Sequence, residues 1–185
     1  MGIFSKKFEE NLEKSIFEKP SMVEEIFIPK GSVYEEIYKN SLIGSFFEII
    51  LKVGDMDDFR VLTEKSAELF FEKNKSLFMS MKSYSISIDS LKNMVITLNQ
   101  FLDYHKLGAV KIAIKEKESS FYIIHYNSPF ALMLKEKSKQ NVCFFFSEFY
   151  SKTFSLIFDR PIKIMEDNCA AYNKEDYCIF KPSNI

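Results

Sequence analysis

Apolar residues recur along this chain with two different periods, and the change of period divides it. In residues 5–17, Phe8, Leu12 and Ile16 stand four apart among charges, a narrow stripe that predicts a peripheral helix. Pro20 and the run FIPKGS, with Pro29 and Gly31, break that pattern, so residues 1–30 read as an N-terminal helix and arm before a domain over 31–185. A wider stripe follows over 32–53, where Val33, Ile37, Leu42, Phe46, Phe47, Ile50 and Leu51 predict a core helix ended by Gly54. Capped by Asp55 or Asp57, a second core helix runs to about Phe78, with Phe59, Leu62, Ala67, Leu69, Phe70, Phe71 and Leu77 at its apolar positions. Asp89 or Ser90 reads as the N-cap of a third. It carries Leu91, Met94, Val95, Leu98, Phe101 and Leu102 on one side and stops at Gly108.

The period then shortens. AVKIAIKEKE and SFYIIHYN are β-rich runs joined by a polar segment, which predicts an antiparallel hairpin. Phe121, Ile123 and His125 would share one face of the second strand, with Tyr122, Ile124 and Tyr126 on the other. Pro129 ends that strand, and the polar KEKSKQN leads into a helix over about 142–158. DRPIKIME and DYCIFKP supply two final strands. Helices, hairpin, helix and hairpin in that order make an α+β domain with helices packed on one antiparallel sheet.

Composition narrows the function classes. With 185 residues, 46% of them hydrophobic and 16% aromatic, the chain can bury one sizeable core. Its 25 basic and 26 acidic residues provide no basic field for nucleic acid, so no nucleic-acid partner is expected. The most apolar stretch, residues 42–53, is interrupted by Ser45, Glu48 and Lys52, and the opening MGIFSKKFEE lacks a signal-peptide core, so a cytoplasmic protein without a membrane partner is expected. Five glycines and no phosphate-cradling motif argue against nucleotide binding.

The chemistry concentrates between Cys143 and Cys178, a stretch that holds all three cysteines, with Glu166 three residues before Cys169. Three thiols and a carboxylate are enough donors for a tetrahedral metal site, and soft sulfur suits Zn2+ better than magnesium or calcium. The competing reading makes Cys143 a buried apolar residue beside the phenylalanines at 144–146, and Glu166 an exposed carboxylate. Apart from the cysteines, an aromatic-rich α+β domain can enclose a pocket oriented by few polar groups, for which His105, Tyr122, His125 and Tyr126 are the candidates. No arrangement of catalytic groups is evident, and no enzymatic activity is expected.

A Cys entering a helix, a strand ending Glu-x-x-Cys, and Cys-x-Phe in the last strand resembles the 4-vinyl reductase domain family. Cys143, Glu166, Cys169, Cys178 and Phe180 carry the match. The resemblance implies the ligand-binding fold of the nitric-oxide-signalling and Golgi-transport type, with those three cysteines and Glu166 holding a structural zinc. It also implies a stand-alone, homodimeric sensor that binds a small hydrophobic, hydrocarbon or aromatic ligand and reports to a separate signalling partner. An accessory or carrier role in tetrapyrrole metabolism is the alternative that the family name raises. Here the turn AAYNKEDY is one residue longer than the family's and lacks its Gly, which predicts a left-handed Asn173. The chain is also distantly similar to haem-based nitric-oxide sensors: His105 precedes Tyr126 and Ser128 at their spacing, which implies axial haem ligation by His105. Phe130, however, stands where those sensors carry Arg.

Overall fold

The structure, a computed structural model, describes residues 54–82, 88–115, 120–135, 137–173 and 175–183, with Ser45, Ile49 and Lys52 as isolated helical positions. The expected helix over 5–17, the arm, and the rest of the helix over 32–53 lie outside the described residues. Helix α1 (Met56–Met79) starts where Asp55 accepts hydrogen bonds from the Asp57 and Asp58 backbone N–H groups, a side-chain N-cap. It buries Phe59, Ala67, Phe71 and Phe78. Leu62, Leu69 and Leu77, expected on the apolar face, are instead 45%, 64% and 36% exposed, because the described elements packed against α1 cover only part of the stripe.

Helix α2 (Ile88–Tyr104) buries Met94, Leu98, Phe101 and Leu102 as the spacing predicts, but Asp89 and Ser90, read as its N-cap, lie within its helical span. Its end also differs from expectation. Lys106 takes the left-handed conformation (φ 55°), and the Leu107 N–H closes back on Leu102 O at 2.7 Å. Gly108 serves close approach: at φ 97°, a Cβ there would lie 2.3 Å from Tyr126 O and 2.7 Å from His125 Nε2.

The predicted hairpin forms from β1 (Ala109–Lys115) and β2 (Ser120–Tyr126), in antiparallel register with Ile112 opposite Ile123. A short helix α3 (Pro129–Met133), absent from the sequence reading, follows with Ser128 as N-cap and Pro129 in its first turn. Next come α4 (Phe144–Ile157), β3 (Ile164–Asn168) and β4 (Tyr177–Pro182), giving one antiparallel sheet of order β1-β2-β4-β3. The fold is α+β, with helices on the sheet.

Helix α4 lies between the sheet and α1, and its sequence explains why. Phe146, Tyr150 and Phe154, four apart, meet His125, Phe180 and Phe121 on the sheet. Phe145 and Phe149 meet Phe70 of α1, and Phe149 also meets Phe101 of α2. A helix apolar on both flanks is one buried on both flanks. Side chains also satisfy both edge strands of the sheet. Asn99 of α2 pairs with Val110 of β1 through Nδ2 to the carbonyl (2.8 Å) and N–H to Oδ1 (2.7 Å). Ser151 of α4 accepts from the Ile164 N–H of β3 at 2.8 Å, and Ser155 accepts from Ile162 N–H just before it. No described helix is long and apolar enough to cross a membrane.

Candidate metal centre and ligand groove

Three elements converge on the cysteines. Cys143 is the N-cap of α4, Cys178 lies in β4 opposite His125 of β2, and Cys169 follows the end of β3. A register shift between Glu166 and Asn168 marks a β-bulge there. Glu166 lies opposite Phe180, two residues from buried Ile164, and so faces the helices. As the sequence predicts, Cys143, Glu166, Cys169 and Cys178 come together, with ligand atoms all within 4.8 Å of one another. Cys143 Sγ is 3.6 Å from Cys178 Sγ, which is 4.0 Å from Cys169 Sγ. Three thiolates on one tetrahedral zinc, at bonds of about 2.3 Å, stand about 3.8 Å apart, whereas a disulfide requires about 2.05 Å.

Glu166 answers the question of fit. One carboxylate oxygen, Oε2, accepts from the Cys143 N–H at 2.9 Å, while the buried Oε1 has no hydrogen-bond partner among the described residues. A buried carboxylate oxygen without a donor is costly, and a cation would satisfy it. Burial, followed by the charge at Cys169, pushes the Glu166 carboxyl well above the ordinary carboxylate range. The thiols divide. Hydrogen bonds from the Cys143 and Cys178 thiols hold Cys169 down at about 3, whereas burial pushes both of those thiols well up. Burial and mutual repulsion oppose ionisation of the set as a whole, and a bound divalent cation would offset that cost. The residues can hold a metal.

The longer turn before Cys178 is built differently from expectation. Asn173 is not left-handed; the positive-φ non-glycine residues described are Lys106, Asn127 and Asp159. Instead the N–H groups of Tyr172 and Asn173 both close on Cys169 O, and the Asn173 side chain donates to Asn168 Oδ1 and accepts from the Glu175 N–H. A side-chain-built turn of this kind needs no glycine.

The ligand candidates are not brought together. His125 is fully buried on the helix side of β2, with Nε2 2.8 Å from Leu107 O and Nδ1 2.6 Å from the Tyr150 hydroxyl. Burial lowers its pKa to about 4, so it is a neutral core histidine. Tyr122 and Tyr126 lie on the opposite face, where Tyr122 packs with Ala113, Ile124 and Ile179, and Tyr126 packs on Tyr177. His105, just past α2, is half-buried against Phe70, Phe101 and Tyr104, and desolvation lowers its pKa. It lines a surface groove of about 350 Å³ between α1 and α2, with Asn74, Leu77, Thr97, Gln100, Phe101 and Tyr104. Tyr126 and Ser128, the expected haem partners of His105, have other contacts. Ser128 Oγ lies 3.1 Å from Cys143 Sγ, and Phe130 is buried in the core. Sequence reasoning missed the contact of Ser128 with Cys143, and it missed Tyr150 and Asn141, whose Nδ2 donates to Glu166 O at 2.6 Å and whose Oδ1 accepts from the Tyr172 hydroxyl.

No protein-family model matches the chain, and no curated protein matches it. Solved structures do. A vinyl-4-reductase family protein from Methanocaldococcus jannaschii aligns over 100% of this chain and 99% of its own, at 15% identity and a TM-score of 0.44. The phenol-responsive sensory domain of the transcription activator PoxR, solved with phenol, aligns over 97% of this chain and 91% of its own, at 11% identity and a TM-score of 0.52. The resemblance drawn from the cysteine pattern is met at the level of architecture: the chain has the α+β fold of the PoxR sensory domain.

Proposed function

We propose that this protein is a small-molecule-binding sensor domain whose fold is stapled by one structural zinc ion on Cys143, Glu166, Cys169 and Cys178. The observation that carries the reading is the four-donor cluster, with sulfur spacings of 3.6 and 4.0 Å and an unpartnered buried carboxylate oxygen. Bound zinc supplies charge neutralisation and a cross-link among β3, β4 and the start of α4. Four protein ligands leave no position for a reactive water, which makes the role structural rather than hydrolytic. Three thiols kept as metal ligands also suit a reducing, cytoplasmic compartment.

The ligand in this reading is a small aromatic molecule, as the PoxR sensory domain was solved with phenol. The groove beside His105 offers aromatic walls from Phe101 and Tyr104, with a neutral imidazole and the Gln100 amide as polar groups. Signal then passes to a separate partner, and the protein works as a homodimer, for which the exposed Leu62 and Leu69 of α1 offer apolar surface. Native mass spectrometry of the purified protein tests the reading in one spectrum. One zinc per chain and a dimer are expected; a metal-free monomer that takes up no added zinc would refute it.

A further inference from the structure

Metal-bound thiolates are held by groups beyond the metal. In this centre three of the four ligands have a hydrogen-bond donor supplied by the fold. Glu166 Oε2 accepts from the Cys143 N–H at 2.9 Å, and Cys178 Sγ accepts from the Ala170 N–H at 3.4 Å. Those two donors are backbone groups. The third, facing Cys143 Sγ at 3.1 Å, is the side-chain hydroxyl of Ser128.

The direction of that bond follows once Cys143 is a thiolate, whose sulfur has no hydrogen to give and so accepts from the hydroxyl. Ser128 is buried at the start of α3, and its Oγ accepts from the Ala131 N–H at 3.4 Å, which leaves the hydroxyl hydrogen for sulfur. Local geometry fixes the aim. Buried Asn127 takes a left-handed turn (φ 56°) straight after β2, and Pro129 sets the first turn of α3, so the intervening serine is held at the N-cap. A rigid hydroxyl donating to a thiolate stabilises the charged form, which is the form a metal binds.

We infer that Ser128 is a positioning residue of the metal centre, donating its hydroxyl hydrogen to the Cys143 thiolate and so setting both metal affinity and the electron density on that sulfur. The inference rests on the metal reading above, and the test separates the two. Zinc affinity is measured by chelator competition for the wild type, Ser128→Ala and Ser128→Thr, alongside the absorption of the cobalt(II)-loaded proteins. Removing an outer donor should weaken zinc binding by about 10–100-fold in Ser128→Ala, with recovery in Ser128→Thr. The sulfur-to-cobalt charge-transfer band should move to longer wavelength in Ser128→Ala, because an undonated thiolate gives up its electron more easily. A merely structural loss of the N-cap would leave that band in place. If Ser128→Ala does not accumulate as folded protein, Ser128→Gly, which caps helices nearly as well, allows the same comparison. Wild-type affinity together with an unmoved band in the variant would overturn the inference while leaving the metal reading intact. Failure of the wild type to take up zinc or cobalt would overturn both.

Discussion

The Tyr150 hydroxyl lies 2.6 Å from His125 Nδ1, and the opposite ring nitrogen lies 2.8 Å from the Leu107 carbonyl oxygen. A carbonyl only accepts, so Nε2 carries the hydrogen and Nδ1 accepts from Tyr150. Both side chains are fully buried between α4 and the sheet. Tyr150→Phe keeps the ring packing against Phe146 and Phe180 but leaves a buried nitrogen without its donor. That should cost about 1–3 kcal/mol in urea unfolding with an unchanged slope. A midpoint equal to that of the wild type would show that the pair contributes nothing.

The same histidine gives the fold a pH dependence. Its pKa falls from 6.5 to about 4 on burial, equivalent to about 3 kcal/mol across the full range. A histidine whose folded pKa is depressed is protonated more readily in the unfolded chain, so stability is complete above pH 6.5 and falls as the pH drops towards 4. The expected slope in that window approaches about 1.4 kcal/mol per pH unit. Unfolding measured from pH 7 to 4.5 with chelator present, so that thiolate protonation on a metal does not contribute, should show this slope. The slope should be smaller by that amount in His125→Gln, where Cys169 and Glu166 still titrate, and equal slopes in the two proteins would reject the assignment.

Much of this was legible in the sequence because it is local. The four-residue spacing of Phe146, Tyr150 and Phe154 marks a helix face, and the three-residue step from Glu166 to Cys169 spans a strand end. Both can be seen in a short window. Ser128 and Cys143 are 15 residues apart, and Tyr150 and His125 are 25 apart; their pairing is created by the topology. Asn99 likewise meets Val110 only because α2 lies beside β1. Helix α3 did leave a signal, Ser128 followed by Pro129, but five residues are too few to display a period. The exposed Leu62 and Leu69 fail for the opposite reason. Their spacing is helical, yet spacing cannot say how wide a stripe the neighbouring elements will cover.

Metal removal should destabilise the wild type and leave a ligand variant unmoved. Adding a strong chelator is expected to lower the wild-type melting temperature, since energy released on zinc binding to the cysteine cluster appears as folding energy. Cys169→Ser should begin at a lower melting temperature and show little further response to chelator. Glu166→Gln keeps the size and the bond from the Cys143 N–H but removes a charge from the set, so it should fall between the two. Identical melting curves for the wild type with and without chelator, in protein shown to contain zinc, would make the centre something other than a staple.

The groove between α1 and α2 yields the last expectation, because its residues report binding directly. His105 and Tyr104 line it together with Phe101, and Tyr104 is 80% exposed. Phenol titrated into the protein should shift the His105 ring-proton resonances along a saturating curve while those of fully buried His125 stay in place. His105→Ala removes an imidazole that can bond to a hydroxyl, and it should weaken phenol by about tenfold, the worth of one hydrogen bond of about 1.4 kcal/mol. The substitution sits at a half-buried position beyond α2 and should leave the zinc content unchanged. Saturable shifts at His125 instead, with full affinity retained in His105→Ala, would move the binding site from the groove to the aromatic layer between α4 and the sheet.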